Sequence, residues 1–261
     1  SWNPPHARFT DAPEPKQALY ADRTLPYRPN VSFPESRDEN DAERIWNQNG
    51  WANYLGYHAH ISALDDELGR LEAKLDQLGI AEDTILVYSS DHGSMFGSHG
   101  VGSKRQPYEE SIRVPFLIRW PGVIPAGARP DSLFGTIDIM PTLCSLAGVP
   151  VPEACVGLDL SPTLRGEDGP DPDAQFIMHI SKENASHGNQ HPAPIFRGLR
   201  TKTHTYALYP GRPWCLFDNR ADPYQLRNLI DEPDCAPLRR ELDAMLRERV
   251  ARAADPFDLP G

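Results

Sequence analysis

Apolar residues, with one histidine among them, recur at three- and four-residue steps between positions 45 and 78: Trp51, Tyr54, Leu55, His58, Ile61, Leu64, Leu68, Leu71, Leu75 and Leu78. The spacing predicts one long amphipathic helix over 45–78. Asp65, Asp66, Glu67, Arg70, Glu72 and Lys74 fill most of its other face, and Gly79 is a suitable stop. Next comes a short apolar run, 84–88, rich in β-branched and aromatic residues, which predicts a buried strand. A second strand is expected at 114–120, closed by Pro121 and Gly122, and a short helix at 137–147 ended by Gly148 and Pro150. Strand and helix alternation over this part predicts an α/β core. Residues 166–173 turn rich in Gly, Pro and Asp, which marks a domain boundary. Beyond it, short strands are expected at 176–180, 195–200, 203–209 and 215–218. Their polar turns favour an antiparallel sheet. A charged amphipathic helix over 238–250 follows, with Leu238, Leu242, Met245, Leu246 and Val250 on one face. Residues 1–40, rich in Pro, Asp and Arg, read as a long irregular segment. The domains expected are 1–168 and 169–261.

The 261 residues are 39% hydrophobic and 24% charged, enough to bury a substantial core. With 26 basic and 37 acidic residues the net charge is −11. That balance argues against nucleic-acid binding, which wants a basic surface. It leaves room for an anionic substrate, because a metal and a few cations can set the local field. No apolar run is long enough to span a bilayer. The chain opens at Ser1 without Met, in what reads as the end of a strand, so a further segment is expected ahead of it. Cys144, Cys155, Cys215 and Cys235 are too widely spaced for a zinc pattern. Cys144, in an apolar helical stretch, is expected to be a buried thiol. Two glycosylation triplets begin at Asn30 and Asn184.

The chemistry concentrates between Ser89 and Arg113, beginning Ser-Ser-Asp-His-Gly. Asp91 and His92 stand where a strand ends and a loop begins, the edge at which α/β sheets bind ligands. A carboxylate and an imidazole there can ligate a metal, although a simple turn or cap would use the same residues. Gly93, Gly97, Gly100 and Gly102 are expected to let the loop bend back tightly. Lys104 offers a point charge suited to a tetrahedral oxyanion. Adjacent Asp65 and Asp66 are not read as a catalytic pair, because neighbouring helix residues point in different directions. His58 and His60 are assigned to packing, and His6 alone would be an exposed loop residue.

The whole string resembles the sulfatase family: Ser-Asp-His-Gly, Gly-x-His-Gly, a Lys, then Tyr-Glu-Glu-Ser-Ile-Arg-Val-Pro from Tyr108. So do Pro4-Pro5-His6 and the later strings Arg197-Gly-Leu-Arg-Thr-Lys and Asp222-Pro-Tyr-Gln-Leu-Arg-Asn-Leu. The resemblance covers nearly all of this chain but only the later part of that family's catalytic domain, plus its C-terminal subdomain. It implies an alkaline-phosphatase-like layered sheet with helices, and a small C-terminal antiparallel sheet and helix. It also implies a sulfuric ester hydrolase working through Ca2+ and a formylglycine.

Residue by residue, the resemblance makes Asp91 and His92 metal ligands. Lys104 and His6 become catalytic and substrate-binding, and His99 substrate-binding. His92 would suit Mn2+ or Zn2+ better than Ca2+, which prefers oxygen. The nucleophile motif, Cys-x-Pro-Ser-Arg in the family, surrounds none of the four cysteines, so it is expected upstream, together with the strand bearing paired aspartates. The chain as written is therefore expected to be inactive alone. The substrate implied is a small-molecule or glycan sulfate ester, with no nucleic acid and no membrane span. Two other readings stay open: a phosphonate monoester or phosphodiester hydrolase of the same superfamily, and a non-catalytic remnant.

Overall fold

A computed structural model describes residues 1–6, 8–32, 50–102, 104–180 and 195–261. They fall into two compact units. One holds the described residues of Ser1–Thr84 and Ser94–Lys104, the other those of Ile85–Gly93, Arg105–Glu183 and Pro192–Gly261.

The first unit is built on the expected long helix. A 3-10 turn, Phe9–Asp11, and helix α1, Glu14–Ala18, lie against helix α2, Gly50–Leu78. Its 29 residues span about 44 Å at the usual rise. The expected start, 45–49, lies outside the described residues. The N-terminal segment covers only part of α2. Leu64, on the predicted stripe, and Ala59 beside it are buried, whereas Leu71 and Leu78, further along that stripe, are exposed. Gly56 makes the close approach possible, since an added Cβ would stand 2.2 Å from the Phe9 carbonyl oxygen. Phe9 then packs on Tyr57 and on Phe96, with ring centroids at 5.9 and 5.3 Å. His60 reaches the Arg8 carbonyl at 3.2 Å, a packing role as expected. Asp66 pairs with Lys16 at 2.5 Å while more than half exposed, as suits a solvated face.

In the second unit, strand β1, Leu86–Ser89, pairs antiparallel with strand β2, Phe116–Arg119, placing Leu86 opposite Arg119 and Ser89 opposite Phe116. Among the described residues these two strands form a sheet of their own. β2 starts later than the apolar run suggests, and Pro115, which has no N–H to give a ladder, stands just before it. Helix α3, Glu109–Ile112, lies between them. Helices α4, Thr136–Leu146, and α5, Ser161–Leu164, follow. Asp138, 1% exposed, caps α4: one oxygen accepts from the Gly135 N–H and the Gln175 amide, the other from the Leu158 N–H.

The larger sheet has four strands in sequential antiparallel order: β3, Ala174–His179; β4, Phe196–Thr201; β5, His204–Tyr209; and β6, Arg212–Asp218. Helix α6, Ala236–Arg252, covers one face through Leu242, Leu246 and Val250, which meet Leu199, Tyr206, Leu208 and Leu216. Truncating Leu246, fully buried there, would cost roughly 2–5 kcal/mol. On the other face Phe196, Ala207, Cys215 and Phe217 pack with Tyr108 and Trp214.

Two burial expectations are overturned. The run 84–88 is only half-buried, with Ser89 after it exposed, because among the described residues β2 alone pairs with β1. Cys144 is partly exposed, because α4 turns Ile137 and Met140 outward on the same side; the deeply buried thiol is Cys215, on an inward position of β6. Asn30 is 7% exposed and hydrogen-bonded, which disfavours its glycosylation triplet. The triplet at Asn184 lies outside the described residues.

Candidate functional site

β1 delivers the chain to Ser90 and Asp91. The Asp91 carboxylate is exposed, and its Oδ1 accepts the His92 N–H at 3.0 Å. Ser90 Oγ donates to the His92 carbonyl at 2.9 Å, which closes the turn. His92 Nδ1 lies 2.9 Å from the Gly93 carbonyl. A carbonyl oxygen only accepts, so Nδ1 carries the hydrogen of that bond. In the neutral ring Nε2 then holds a lone pair, and it faces Asp91 Oδ2 at 3.3 Å. Two acceptors at that distance repel unless a proton or a cation lies with them. A hard carboxylate oxygen and an imidazole nitrogen turned to one point fit a divalent cation. They are two donors only, and among the described residues no group of three or more metal-ligating side chains occurs.

Gly93 serves this turn by its size. Its N–H donates to the Ser111 carbonyl at 2.9 Å, and an added Cβ would stand 2.0 Å from the Glu110 carbonyl oxygen. Gly97 and Gly100 take the left-handed conformation expected of loop glycines, at φ 87° and 72°.

In the first unit, the loop 94–102 is pinned by buried Met95, Phe96 and Ser98. Phe96 and His99 are themselves left-handed, at φ 46° and 54°, a conformation that costs non-glycine residues roughly 1–3 kcal/mol. Tertiary bonds hold them there. The His99 N–H donates to the Asn30 carbonyl at 2.8 Å, and Asn30 Nδ2 stands 3.1 Å from His99 Nε2. The amide donates, so Nε2 accepts. Phe96 packs with Phe9, Tyr54 and Tyr57. That cluster brings the segment bearing His6 against the loop bearing His99. His6 is exposed, its N–H bonded to the Asn3 carbonyl at 3.0 Å, and Lys104 is partly buried.

Three residues that the sequence did not single out stand behind the Asp91 turn. Glu109, 4% exposed, accepts two bonds from the Arg200 guanidinium at 2.6 and 3.1 Å. Its N–H donates to Gln225 Oε1 at 2.9 Å. Glu109 lay within the recognised string, but nothing local announces partners 91 and 116 residues away. A separate open cleft of about 220 Å³ is lined by residues including Asp131, Glu167, Asp171 and Lys202, and by none of the predicted site residues.

Comparison with known proteins bears on these features. The sulfatase family profile matches residues 6–149, and that of the C-terminal region of N-sulphoglucosamine sulphohydrolase matches 97–252. The ulvan-active sulfatase of Formosa agariphila is 36% identical over 260 residues, spanning 97% of this chain and 47% of that protein. The endo-4-O-sulfatase of Bacteroides thetaiotaomicron is 32% identical over 268 residues, 94% of this chain and 50% of that one. The chain thus spans about half the length of the curated relatives it matches. The crystal structure of the phosphonate monoester hydrolase of Agrobacterium radiobacter superposes with a TM-score of 0.70 at 27% identity, over 81% of this chain and 44% of that one. The fold is of the α/β, alkaline-phosphatase-like kind. A family match that takes in more than half of the residues, the Asp91 turn among them, settles the kinship: the chain belongs to the sulfatase family.

Proposed function

We propose that the complete protein is a sulfuric ester hydrolase acting on small-molecule or glycan sulfate esters. The observation that carries this is the facing pair Asp91 Oδ2 and His92 Nε2 at the end of β1 in a chain of this family. Sulfatases generally use a divalent metal and a formylglycine. When bound, the cation would neutralise charge on the sulfate oxygens, and a formylglycine from outside this chain would supply the nucleophile.

The chain's own residues take the remaining roles. Asp91 and His92 would hold the metal, Ca2+ or, given the imidazole, Mn2+ or Zn2+. The Lys104 ammonium contacts a sulfate oxygen and the departing ester oxygen, where negative charge grows. His6, when protonated, contacts the sulfate and gives its proton to that leaving oxygen. His99, its Nε2 held by Asn30, lines the substrate. Residues 1–168 act as the later part of the catalytic domain and 169–261 as its C-terminal subdomain; the start of the larger sheet at Ala174 supports that division. The activities named for the relatives, on ulvan and at a 4-O-sulfate, support a sulfated glycan.

A phosphonate monoester or phosphodiester is the second reading, favoured by the imidazole ligand and the Agrobacterium radiobacter structure. The test offers the full-length protein, with Mn2+ or Ca2+, an aryl sulfate, a phosphonate monoester and a phosphodiester. Faster turnover of the sulfate is expected. Faster turnover of either phosphorus ester would transfer the assignment. No turnover of any, with the formylglycine confirmed by mass spectrometry, would favour a non-catalytic remnant.

A further inference from the structure

We propose that Glu109, Arg200 and Gln225 are positioning residues for the Asp91–His92 pair, acting through α3; the metal part of this rests on the function proposed above. α3 has four residues, too few to hold its own place. It is nevertheless the surface on which the Asp-His-Gly turn is seated. The Gly93 N–H bonds the Ser111 carbonyl, and at Gly93 there is no room for even a methyl group against the Glu110 carbonyl. A displacement of α3 therefore displaces the turn. Ser111 Oγ also accepts the N–H groups of Arg105 and Gln106, at 3.0 and 3.3 Å, where the chain returns just after Lys104.

The larger sheet is what keeps α3 in place. Arg200 grips the Glu109 carboxylate with two parallel bonds, a geometry that fixes direction as well as distance. Gln225 takes the Glu109 N–H and passes its own amide hydrogens to Asn219 Oδ1 at 3.0 Å and Thr205 Oγ1 at 3.3 Å. Gln225 is 1% exposed and left-handed at φ 55°. A strained position kept with both amide atoms bonded is one that the surrounding fold over-determines. Arg200 and Thr205 stand opposite each other in the β4–β5 register. One rung of the sheet thus locates α3, and α3 locates Asp91 and His92.

The test uses the full-length protein with Glu109→Gln and Arg200→Lys, the second keeping the charge and losing the fork. Asp255→Asn is the control, since it breaks a buried pair between the C-terminal tail and Arg197 of the same sheet that, among the described residues, has no bond to α3. Each is compared with wild type, well below its melting temperature, by hydrogen exchange of residues 89–93 and by Mn2+ titration. Both test variants should speed exchange there and weaken Mn2+ binding about tenfold or more, the usual effect of losing a partner behind a metal ligand. Asp255→Asn should lower the melting temperature and change neither. Exchange in 89–93 that matches the control in both test variants would overturn the proposal. Faster exchange in a protein whose wild type takes up no Mn2+ would support the positioning role and overturn the metal-site reading.

Discussion

Asp255 accepts two hydrogen bonds from the Arg197 guanidinium, at 2.6 and 2.9 Å, with the two side chains 9% and 7% exposed. The guanidinium also lies over the Phe257 ring, 4.8 Å from its centroid, and donates to the His179 and Phe196 carbonyls. The pair ties the C-terminal tail to β4. Asp255→Ala leaves a buried cation without its partner, so it should cost about 3 kcal/mol in denaturant melts.

The same pair sets an acid dependence. The Arg197 hydrogen bonds hold the Asp255 carboxyl below its ordinary range. As pH falls the unfolded chain takes up this proton first. The pair's stability is therefore fully present above about pH 4 and is lost progressively as pH falls through the lower folded pKa. Melts from pH 2 to 6 should show a shallower acid loss in Asp255→Asn than in wild type.

His58 responds at higher pH. It stands edge-on to Tyr54, centroids 4.8 Å apart, and its buried Nε2 has no hydrogen-bond partner among the described residues. Burial lowers its pKa, so the folded state prefers the neutral ring. This contribution is present above the ordinary histidine value, about 6.5, and is lost as pH falls below it. His58→Leu should flatten the change in melting temperature between pH 5 and 7.

Two glycines of α2 predict opposite outcomes. Gly56→Ala forces a methyl against the Phe9 carbonyl, 2.2 Å away, and should destabilise by roughly 1–3 kcal/mol. At Gly69 nothing lies within 4 Å of an added Cβ, so Gly69→Ala should stabilise by about 0.5–1 kcal/mol. Thermal melts of the two variants decide it. Equal effects would mean that the Phe9 segment does not seat on the helix.

The proposed site residues separate by kinetics. Asp91 is exposed, so Asp91→Ala should change stability by less than about 0.5 kcal/mol. In the full-length protein, on the function proposed, it should weaken metal binding and lower turnover about a hundredfold or more. Lys104→Ala should lower kcat by about 100-fold with a smaller change in KM, because the lysine acts on charge that develops late. A change in KM alone would make Lys104 a binding residue.

Much of the fold was legible in local pattern. The three- and four-residue apolar spacing marked α2, and the later runs marked β3 to β6 and α6 within a few residues, because these periods reflect which face each element buries. The ordered string around Asp91 was enough to suggest the family. Other features are not written in any window of sequence. Glu109 meets Arg200 across 91 residues and Arg197 meets Asp255 across 58. The partner of β1, the left-handed φ of Gln225 and the outward turn of Cys144 are of the same kind. Periodicity tells a residue which side of its own element it occupies. Only the folded chain decides what lies opposite, since a buried charge must find its counter-ion wherever the topology brings one within hydrogen-bond reach.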